Sequence, residues 1–213
     1  MNEPTFYRRN LPHIQPENGV FNLSFRLEGC LPKETIIQLK IAYEFRKKEL
    51  SLTIKDEKLL HEALRQEKQL YFGKFDDLLG ACSFGPNYLK QPEIAKLVFD
   101  SFLFWHEAQR YKLINVTVMP NHVHAILYKI QKPLFRILQS IKTYTGTEAN
   151  LILNRVGEKF WMQESYDHLI RHRDELGHWI KYNLNNPVKP GLCGHWSEWK
   201  SSFIHPEFLH YAP

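Results

Sequence analysis

The chain of 213 residues is long enough for one well-packed domain and too short for two domains of ordinary size. It is 43% hydrophobic and 24% charged, as globular proteins are, and it lacks the run of about 18 apolar residues that a membrane span needs. Three separated cysteines without a CxxC pair argue against a zinc ribbon or a disulfide framework and fit a cytoplasmic protein. A formal net charge of +5 suits a polyanionic partner such as nucleic acid.

The first predicted element is a strand over residues 21–27, FNLSFRL, where apolar and polar residues alternate as in a half-buried strand. A long charged stretch follows from Pro32 to about Leu70. Within it Ile37, Ile41 and Phe45 recur at every fourth residue, and residues 59–64 carry a second apolar stripe. Both stripes predict amphipathic helices that bury one face and leave the other in solvent.

A turn-rich break over residues 80–86 separates this stretch from a helix that begins near Pro92 and runs to about Arg110. Phe102 and Trp105 are interpreted as core residues of that helix.

Residues 113–128 predict a hairpin. LINVTVMP is rich in β-branched residues, Pro120-Asn121 is a turn signal, and HVHAILY resumes a strand. After Pro133 a helix is expected to continue through Leu153, with an interruption near Gly146. An aromatic segment at 160–170 adds an edge strand.

The last predicted helix begins near Asp174 and must end by Asn186, because Pro187 disfavours helical geometry at the residue before it. These elements predict an α+β fold in which helices pack against a small antiparallel sheet.

Two histidines provide the first candidate for chemistry. His122 and His124 are two residues apart on a predicted strand, so both side chains leave the same face. Two such imidazoles can chelate a divalent ion. An isolated HxH pair is equally consistent with two polar residues in solvent or in hydrogen bonds.

Tyr182 and Asn186 provide the second candidate, because they lie one turn apart on one face of the last helix. A phenol can attack a phosphodiester, and an amide oxygen can be a third metal ligand. The spacing alone is also consistent with a tyrosine in the core or on the surface.

Several segments in order resemble the HUH single-tyrosine transposases, and most closely the REP-associated tyrosine transposases. They include VMPNHVHAIL at 118–127, FWMQESYDHLIRHRDEL at 160–176, YNLNNPVKPGL at 182–192 and the terminal WSEWKSSF. YRRNLPHIQPENGVFNLSFRL and YLKQPEIAKLVFDSF are similar to the first strand and to the helix that precedes the histidines. The resemblance covers most of the chain outside about 33–75.

This resemblance implies an RRM- or ferredoxin-like nuclease core that forms a single domain over residues 1–213, with a helical insertion at about 33–75. It implies that His122, His124 and Asn186 bind Mg²⁺ or Mn²⁺ and that Tyr182 is the nucleophile. Such an enzyme cleaves and rejoins single-stranded DNA at hairpin-containing sites through a 5′-phosphotyrosine. This sequence departs from the family at Asn183, where a branched apolar residue is usual, and at Leu184.

Other assignments follow from residue type. Tyr166 competes with Tyr182 as nucleophile. Trp161 and Trp196 are candidates for stacking on unpaired bases. Residues predicted to contact the DNA backbone are Arg8, Arg9, Lys142, Arg171, Arg173 and Lys189.

The sequence leaves alternatives open. The chain is either an enzyme or a non-catalytic hairpin-DNA-binding protein of the same fold; a zinc hydrolase built on the HxH pair lacks a HExxH-like helix. The resemblance is compatible with a monomer and with a homodimer, and with a mobile transposase and a domesticated repeat-processing enzyme.

Overall fold

The structure is a computed structural model that describes residues 5–8, 12–16, 18–81 and 84–213, with side chains from residue 16 onward. The chain forms two compact units. One comprises residues 1–28 and 87–213, and the other comprises residues 29–86.

A five-stranded antiparallel sheet forms the centre of the first unit, with strand order β6-β3-β5-β4-β7. Its strands are β3 (Val20–Arg26), β4 (Lys112–Val118), β5 (His122–Tyr128), β6 (Tyr166–Ile170) and β7 (Ser202–Ile204). A separate two-stranded antiparallel sheet pairs β1 (Thr5–Arg8) with β2 (Pro12–Gln15).

Five α-helices complete the described elements. They are α1 (Lys33–Thr53), α2 (Glu57–Gly80), α3 (Pro92–Glu107), α4 (Leu134–Ile152) and α5 (Arg173–Asn185). Short 3₁₀ helices lie at Tyr88–Lys90, Trp196–Glu198 and Pro206–Tyr211.

One face of the central sheet is apolar and carries the core. Phe25 of β3 stacks on Phe102 of α3 with ring centroids 6.2 Å apart, and Trp161 meets Phe25 edge-on at 4.8 Å. Apolar residues at alternate positions of the neighbouring strands, such as Val123 and Leu127, are fully buried on this face. The interpretation of Phe102 as a core residue is confirmed, whereas Trp105 is only half-buried.

The opposite face of the same sheet is polar and also buried. Asn22, Ser24 and Arg26 of β3 are at most 8% exposed, although their alternation with apolar residues predicted a half-buried strand. That prediction of burial is wrong because the polar face is covered by α5. A buried polar face is unusual, since each group on it needs a partner.

The remaining elements of this unit follow the sequence closely. The hairpin of β4 and β5 and the edge position of β6 are confirmed. α4 is a continuous helix, so the predicted interruption near Gly146 is wrong. Gly146 allows close approach there, because a Cβ would lie 3.3 Å from the ring of Trp161, a tighter contact than most Cβ atoms make.

The unit of residues 29–86 contains a pair of helices. Asp56 caps α2 by accepting a hydrogen bond from the Leu59 N–H at 2.9 Å. Tyr43 of α1 stacks on Tyr71 of α2 with ring centroids 4.6 Å apart. The two helices are confirmed, but the predicted burial of the first stripe is wrong, because α1 contains no buried residue.

The fold is α+β, because helices flank one five-stranded antiparallel sheet. The His-x-His pair lies on β5, the second strand of the central hairpin. Among the described helices, none combines the length and apolar character needed to cross a bilayer.

The packing of α3 on the apolar face predicts the effect of a paired substitution. Phe102→Ala should lower the free energy of unfolding by roughly 3–5 kcal/mol, because it leaves a cavity in the core. Phe104→Ala, two residues away on the same helix but 65% exposed, should change it by less than about 0.5 kcal/mol. Urea unfolding followed by circular dichroism measures both, and equal effects would contradict the assigned face.

Candidate functional site

The imidazole pair lies in the middle of the polar face. His122 and His124 are both 0% exposed, and their ring centroids are 4.8 Å apart at an interplanar angle of 89°. One ring nitrogen of each lies within 4.8 Å of the other. The pair can therefore converge on a single metal ion, as two same-face residues of one strand should.

Asn121 orients the first of these rings. Its Oδ1 lies 2.6 Å from Nδ1 of His122, and an amide oxygen can only accept a hydrogen bond, so this Nδ1 carries the proton. The lone pair of His122 is then on Nε2. A hydrogen bond of this kind fixes the tautomer of metal-ligating histidines. The sequence marked Asn121 only as a turn residue.

The predicted tyrosine and asparagine meet the imidazole pair from α5. The ring centroid of half-buried Tyr182 is 6.1 Å from that of His124, at an angle of 84°. One turn later, Nδ2 of Asn186 lies 3.1 Å from Nε2 of His124. The fold thus brings two residues of β5 together with Tyr182 of α5 and with Asn186, which directly follows α5.

Asn183 explains how α5 packs on a polar sheet. Its Nδ2 donates to Oδ1 of Asn22 on β3 at 3.0 Å and to Oδ1 of Asn115 on β4 at 3.4 Å. All three asparagines are 0% exposed. Asn183, where the resemblance predicts a branched apolar residue, therefore makes a buried polar contact between three elements, while the neighbouring Leu184 is fully buried.

The first turn of α5 has a second polar contact. Oε1 of Glu175 lies 2.7 Å from Nε2 of His168 on β6, and Oε2 accepts a hydrogen bond from the Arg171 N–H at 2.8 Å. Both side chains of this hydrogen-bonded pair are at most 8% exposed. The helix is capped by His172, whose ring accepts a hydrogen bond from the Glu175 N–H.

Sequence reasoning missed this pair and the asparagine contact. The sequence signal for both contacts was the presence of polar residues at alternate positions of strands whose other residues are apolar. That pattern also fits a strand with one face in solvent.

An aromatic row joins these contacts. Trp179 lies between His168 and Tyr182, with ring centroids 5.4 Å from each. On the solvent side, Nζ of exposed Lys189 lies 3.8 Å from the ring centroid of Tyr182, in cation–π distance. The tyrosine ring is therefore held between an indole, an imidazole and an ammonium group.

Tyr166 occupies a different place. It lies opposite Ser24 on β3, and Ser24 lies opposite His124 on β5, so one strand separates Tyr166 from the imidazole pair. With strands spaced about 4.8 Å apart, its backbone is roughly 10 Å from that of His124. Its ring instead lies parallel to that of His168, with centroids 6.4 Å apart.

The predicted DNA contacts are dispersed. Arg171 and Arg173 are exposed at the start of α5. The half-buried ammonium of Lys142 donates to the carbonyl oxygens of Met162 and Gln163 at 2.6 and 2.9 Å. The side chain of Arg8 and the whole of Arg9 lie outside the described residues.

The two tryptophans considered for base stacking differ in their exposure. Trp161 is 8% exposed and its Nε1 donates to Oγ1 of Thr145 at 2.9 Å, so its interpretation as a base-stacking platform is wrong. Trp196 is half-buried, and its Nε1 donates to the carbonyl oxygen of Pro213 at 3.3 Å.

A cavity of about 510 Å³ lies elsewhere, between α4 and the segment after it. Lys142, Asn150 and Trp161 line it, but neither the imidazole pair nor Tyr182 does.

No family model and no curated protein matches the sequence. Among solved structures, the chain is similar to a REP-associated tyrosine transposase bound to a REP hairpin. The match has a TM-score of 0.51 and covers 95% of this chain and 82% of that chain, at 14% sequence identity. An identity this low shows the fold alone: the α+β architecture, with the His-x-His pair on the sheet, is similar to that of the solved transposase.

The asparagine contact generates a stability prediction. Asn183→Ala should lower the free energy of unfolding by roughly 1–3 kcal/mol, because it removes the donor to two buried amide oxygens. Asn185→Ala makes the same chemical change at a half-buried neighbour and should alter it by less than about 0.5 kcal/mol. Urea denaturation of both variants measures the difference; unchanged stability of Asn183→Ala would show that α5 is positioned by other contacts.

Proposed function

We propose that the chain is a metal-dependent, single-tyrosine DNA endonuclease and strand transferase that acts on single-stranded DNA at hairpin-containing sites. The observation that carries the proposal is the convergence of a phenol, a buried imidazole pair and an amide at the junction of β5 and α5. Phosphodiester transfer needs a nucleophile beside a group that neutralises phosphate charge. The transposase-like fold supports this reading of the site.

The residues proposed to hold the metal are His122, His124 and Asn186. Metal–imidazole bonds are on the order of 2.0–2.2 Å, so two nitrogens on one ion are at most about 4.4 Å apart. The nitrogens of the pair lie within 4.8 Å, which a small rotation of either ring brings into range. Asn186 faces His124 through Nδ2, and a turn of its amide would present Oδ1 instead.

A bound Mg²⁺ or Mn²⁺ would supply Lewis-acid polarisation of the scissile phosphate. Imidazole is a better ligand for Mn²⁺ than for Mg²⁺, so Mn²⁺ should support activity at least as well.

Tyr182 performs the covalent step. Its Oη attacks the phosphorus of the scissile phosphodiester, the bond from phosphorus to the 3′ oxygen breaks, and the phenolic proton is transferred in net terms to that oxygen. The products are a 5′-phosphotyrosine and a free 3′-hydroxyl. A 3′-hydroxyl can attack the phosphotyrosine in the reverse reaction, so strands are rejoined without ATP.

Tyr182 is preferred to Tyr166 on distance. Its ring is 6.1 Å from that of His124, whereas a whole strand separates Tyr166 from the pair. The ammonium of Lys189 is suited to contact the phosphate that the phenol attacks, since it lies 3.8 Å from the centroid of the Tyr182 ring.

The proposed substrate is DNA with a hairpin and a flanking single strand. The solved transposase of similar fold is bound to such a hairpin, and the net charge of +5 suits a polyanion. Exposed Arg171, Arg173 and Lys189 are proposed backbone contacts, together with Arg8, Arg9 and Lys142. We also propose that the chain forms one nuclease domain with a helical insertion at about 33–75, and that the protein is cytoplasmic.

Formation of a covalent adduct tests the function. The protein is incubated with Mn²⁺ and 3′-labelled hairpin oligonucleotides whose flanks are randomised, and the products are separated on a denaturing gel. We expect a denaturation-resistant protein–DNA adduct that EDTA abolishes. Tyr182→Phe should remove the adduct completely, because phenylalanine has no nucleophilic oxygen, and His122→Ala or His124→Ala should reduce it at least 100-fold.

Tyr166→Phe is the matched control and should retain the adduct. If Tyr166→Phe loses the adduct and Tyr182→Phe keeps it, the assignment of the nucleophile is reversed. If wild-type protein and Tyr182→Phe bind hairpin DNA equally and neither forms an adduct, the chain is the non-catalytic hairpin-binding protein of the same fold.

Metal affinity tests the role of Asn121 separately from activity. Asn121→Ala removes the acceptor that orients His122, and loss of such a partner lowers metal affinity by roughly 10–100-fold. Titration of Mn²⁺ followed by electron paramagnetic resonance measures the dissociation constant, with Asn185→Ala as the control. Equal affinities of Asn121→Ala and wild type would contradict this role.

A further inference from the structure

The helix α1 exposes a long apolar face. Ile37, Ile41, Phe45 and Leu52, here called the α1 stripe, are 56%, 64%, 71% and 64% exposed. Their spacing of four, four and seven residues places them on one side of the helix. At 1.5 Å per residue the stripe is about 22 Å long. Single exposed apolar residues are ordinary, but four on one side of a helix form a patch of the kind that marks an interaction surface.

The other side of α1 is already occupied. Tyr43 stacks on Tyr71, and Arg46 lies 3.8 Å from Glu67 of α2. The stripe is therefore not the face by which α1 packs on α2. Two residues of the stripe, Ile41 and Phe45, also line a groove of about 580 Å³ between the two helices, together with Leu70, which is 60% exposed.

Two charged residues on the same side as the stripe indicate what covers it. Glu34 lies seven residues before Ile41, and Lys48 lies seven residues after it, so both share its side of the helix. The ion pairs within α1 use other charges, joining Lys47 to Glu44 and Arg46 to Glu49.

The order of these two charges along α1 allows oppositely charged contacts between two copies only when the two helices run antiparallel. When two copies of α1 cross antiparallel with Ile41 on the two-fold axis, Ile37 meets the other copy's residue 45, and Glu34 meets its residue 48. Glu34 and Lys48 of each copy then face a residue of opposite charge. In a parallel pair in register, Glu34 would face the same residue of the other copy, and so would Lys48. Like charges in contact are destabilising.

We propose that the α1 stripe is a self-association surface, at which two copies of this chain pair through antiparallel α1 helices about Ile41. Such an interface is isologous, since the same surface serves both copies. It places two Tyr182 sites in one particle; that consequence rests on the proposed function, whereas the association itself does not.

The proposal is tested by sedimentation velocity of the full chain at about 1–200 µM, with EDTA and without DNA, so that the result is independent of catalysis. Wild type should form a species of twice 25.4 kDa. Ile41→Asp should be monomeric throughout, because the dimer would bury two carboxylates against apolar groups. Val156→Asp, at a 73% exposed position outside α1, should remain dimeric. Thermal melts followed by circular dichroism establish that both variants are folded.

Charge reversal tests the direction of pairing. Glu34→Lys and Lys48→Glu should each weaken dimerisation on the order of tenfold, because each converts two ion pairs into two like-charge contacts. The double variant restores both pairs and should associate as wild type does. A double variant weaker than either single variant would overturn the antiparallel arrangement.

A wild-type chain that stays monomeric, or a dimer unaffected by Ile41→Asp, would overturn the proposal. Monomeric protein that sediments with anionic lipid vesicles, and loses this property in Ile41→Asp, would assign the stripe to a membrane surface instead.

Discussion

The structure depends on one constraint: a β-sheet with two buried faces, of which one is polar, needs hydrogen-bond partners for the polar groups on that face. Burying an amide or an imidazole without a partner is unfavourable by roughly 1–3 kcal/mol. α5 provides partners for part of that face at three positions along its length: Glu175 reaches His168, Asn183 reaches Oδ1 of two asparagines, and Asn186 reaches His124. The helix has little freedom to slide or rotate, because each contact fits a different strand.

This same constraint positions the candidate site. Tyr182 precedes Asn183 in the chain and lies one turn before Asn186, so the contacts that fix the helix also fix the phenol near the imidazole pair. The hydrogen bond from His122 to Asn121 fixes a ring in the same way. A site held by its structural contacts needs little rearrangement before reaction, which is the physical basis of preorganised catalysis. In the helical unit of residues 29–86, the first helix instead leaves its apolar stripe exposed.

Much of the architecture could be predicted from local patterns. The β4–β5 hairpin, the end of α5 before Pro187 and the helices α1 to α4 follow from residue periodicity, turn residues and proline. Two predictions failed for a shared reason. The polar residues of β3 and the apolar residues of α1 were assigned to solvent and to core respectively, and the structure reverses both. Periodicity shows that a helix or strand has two different faces, but it does not show which of them is covered.

The sequence by itself determined the residues capable of chemistry and their local pairing. His122 and His124 share a face because strand side chains alternate, and Tyr182 and Asn186 share a face because a helix turns once in about 3.6 residues. Only the tertiary structure decided that these two faces meet. Their approach depends on contacts between residues up to 161 positions apart in the chain, such as that of Asn183 with Asn22, and no local pattern encodes the distance between such residues.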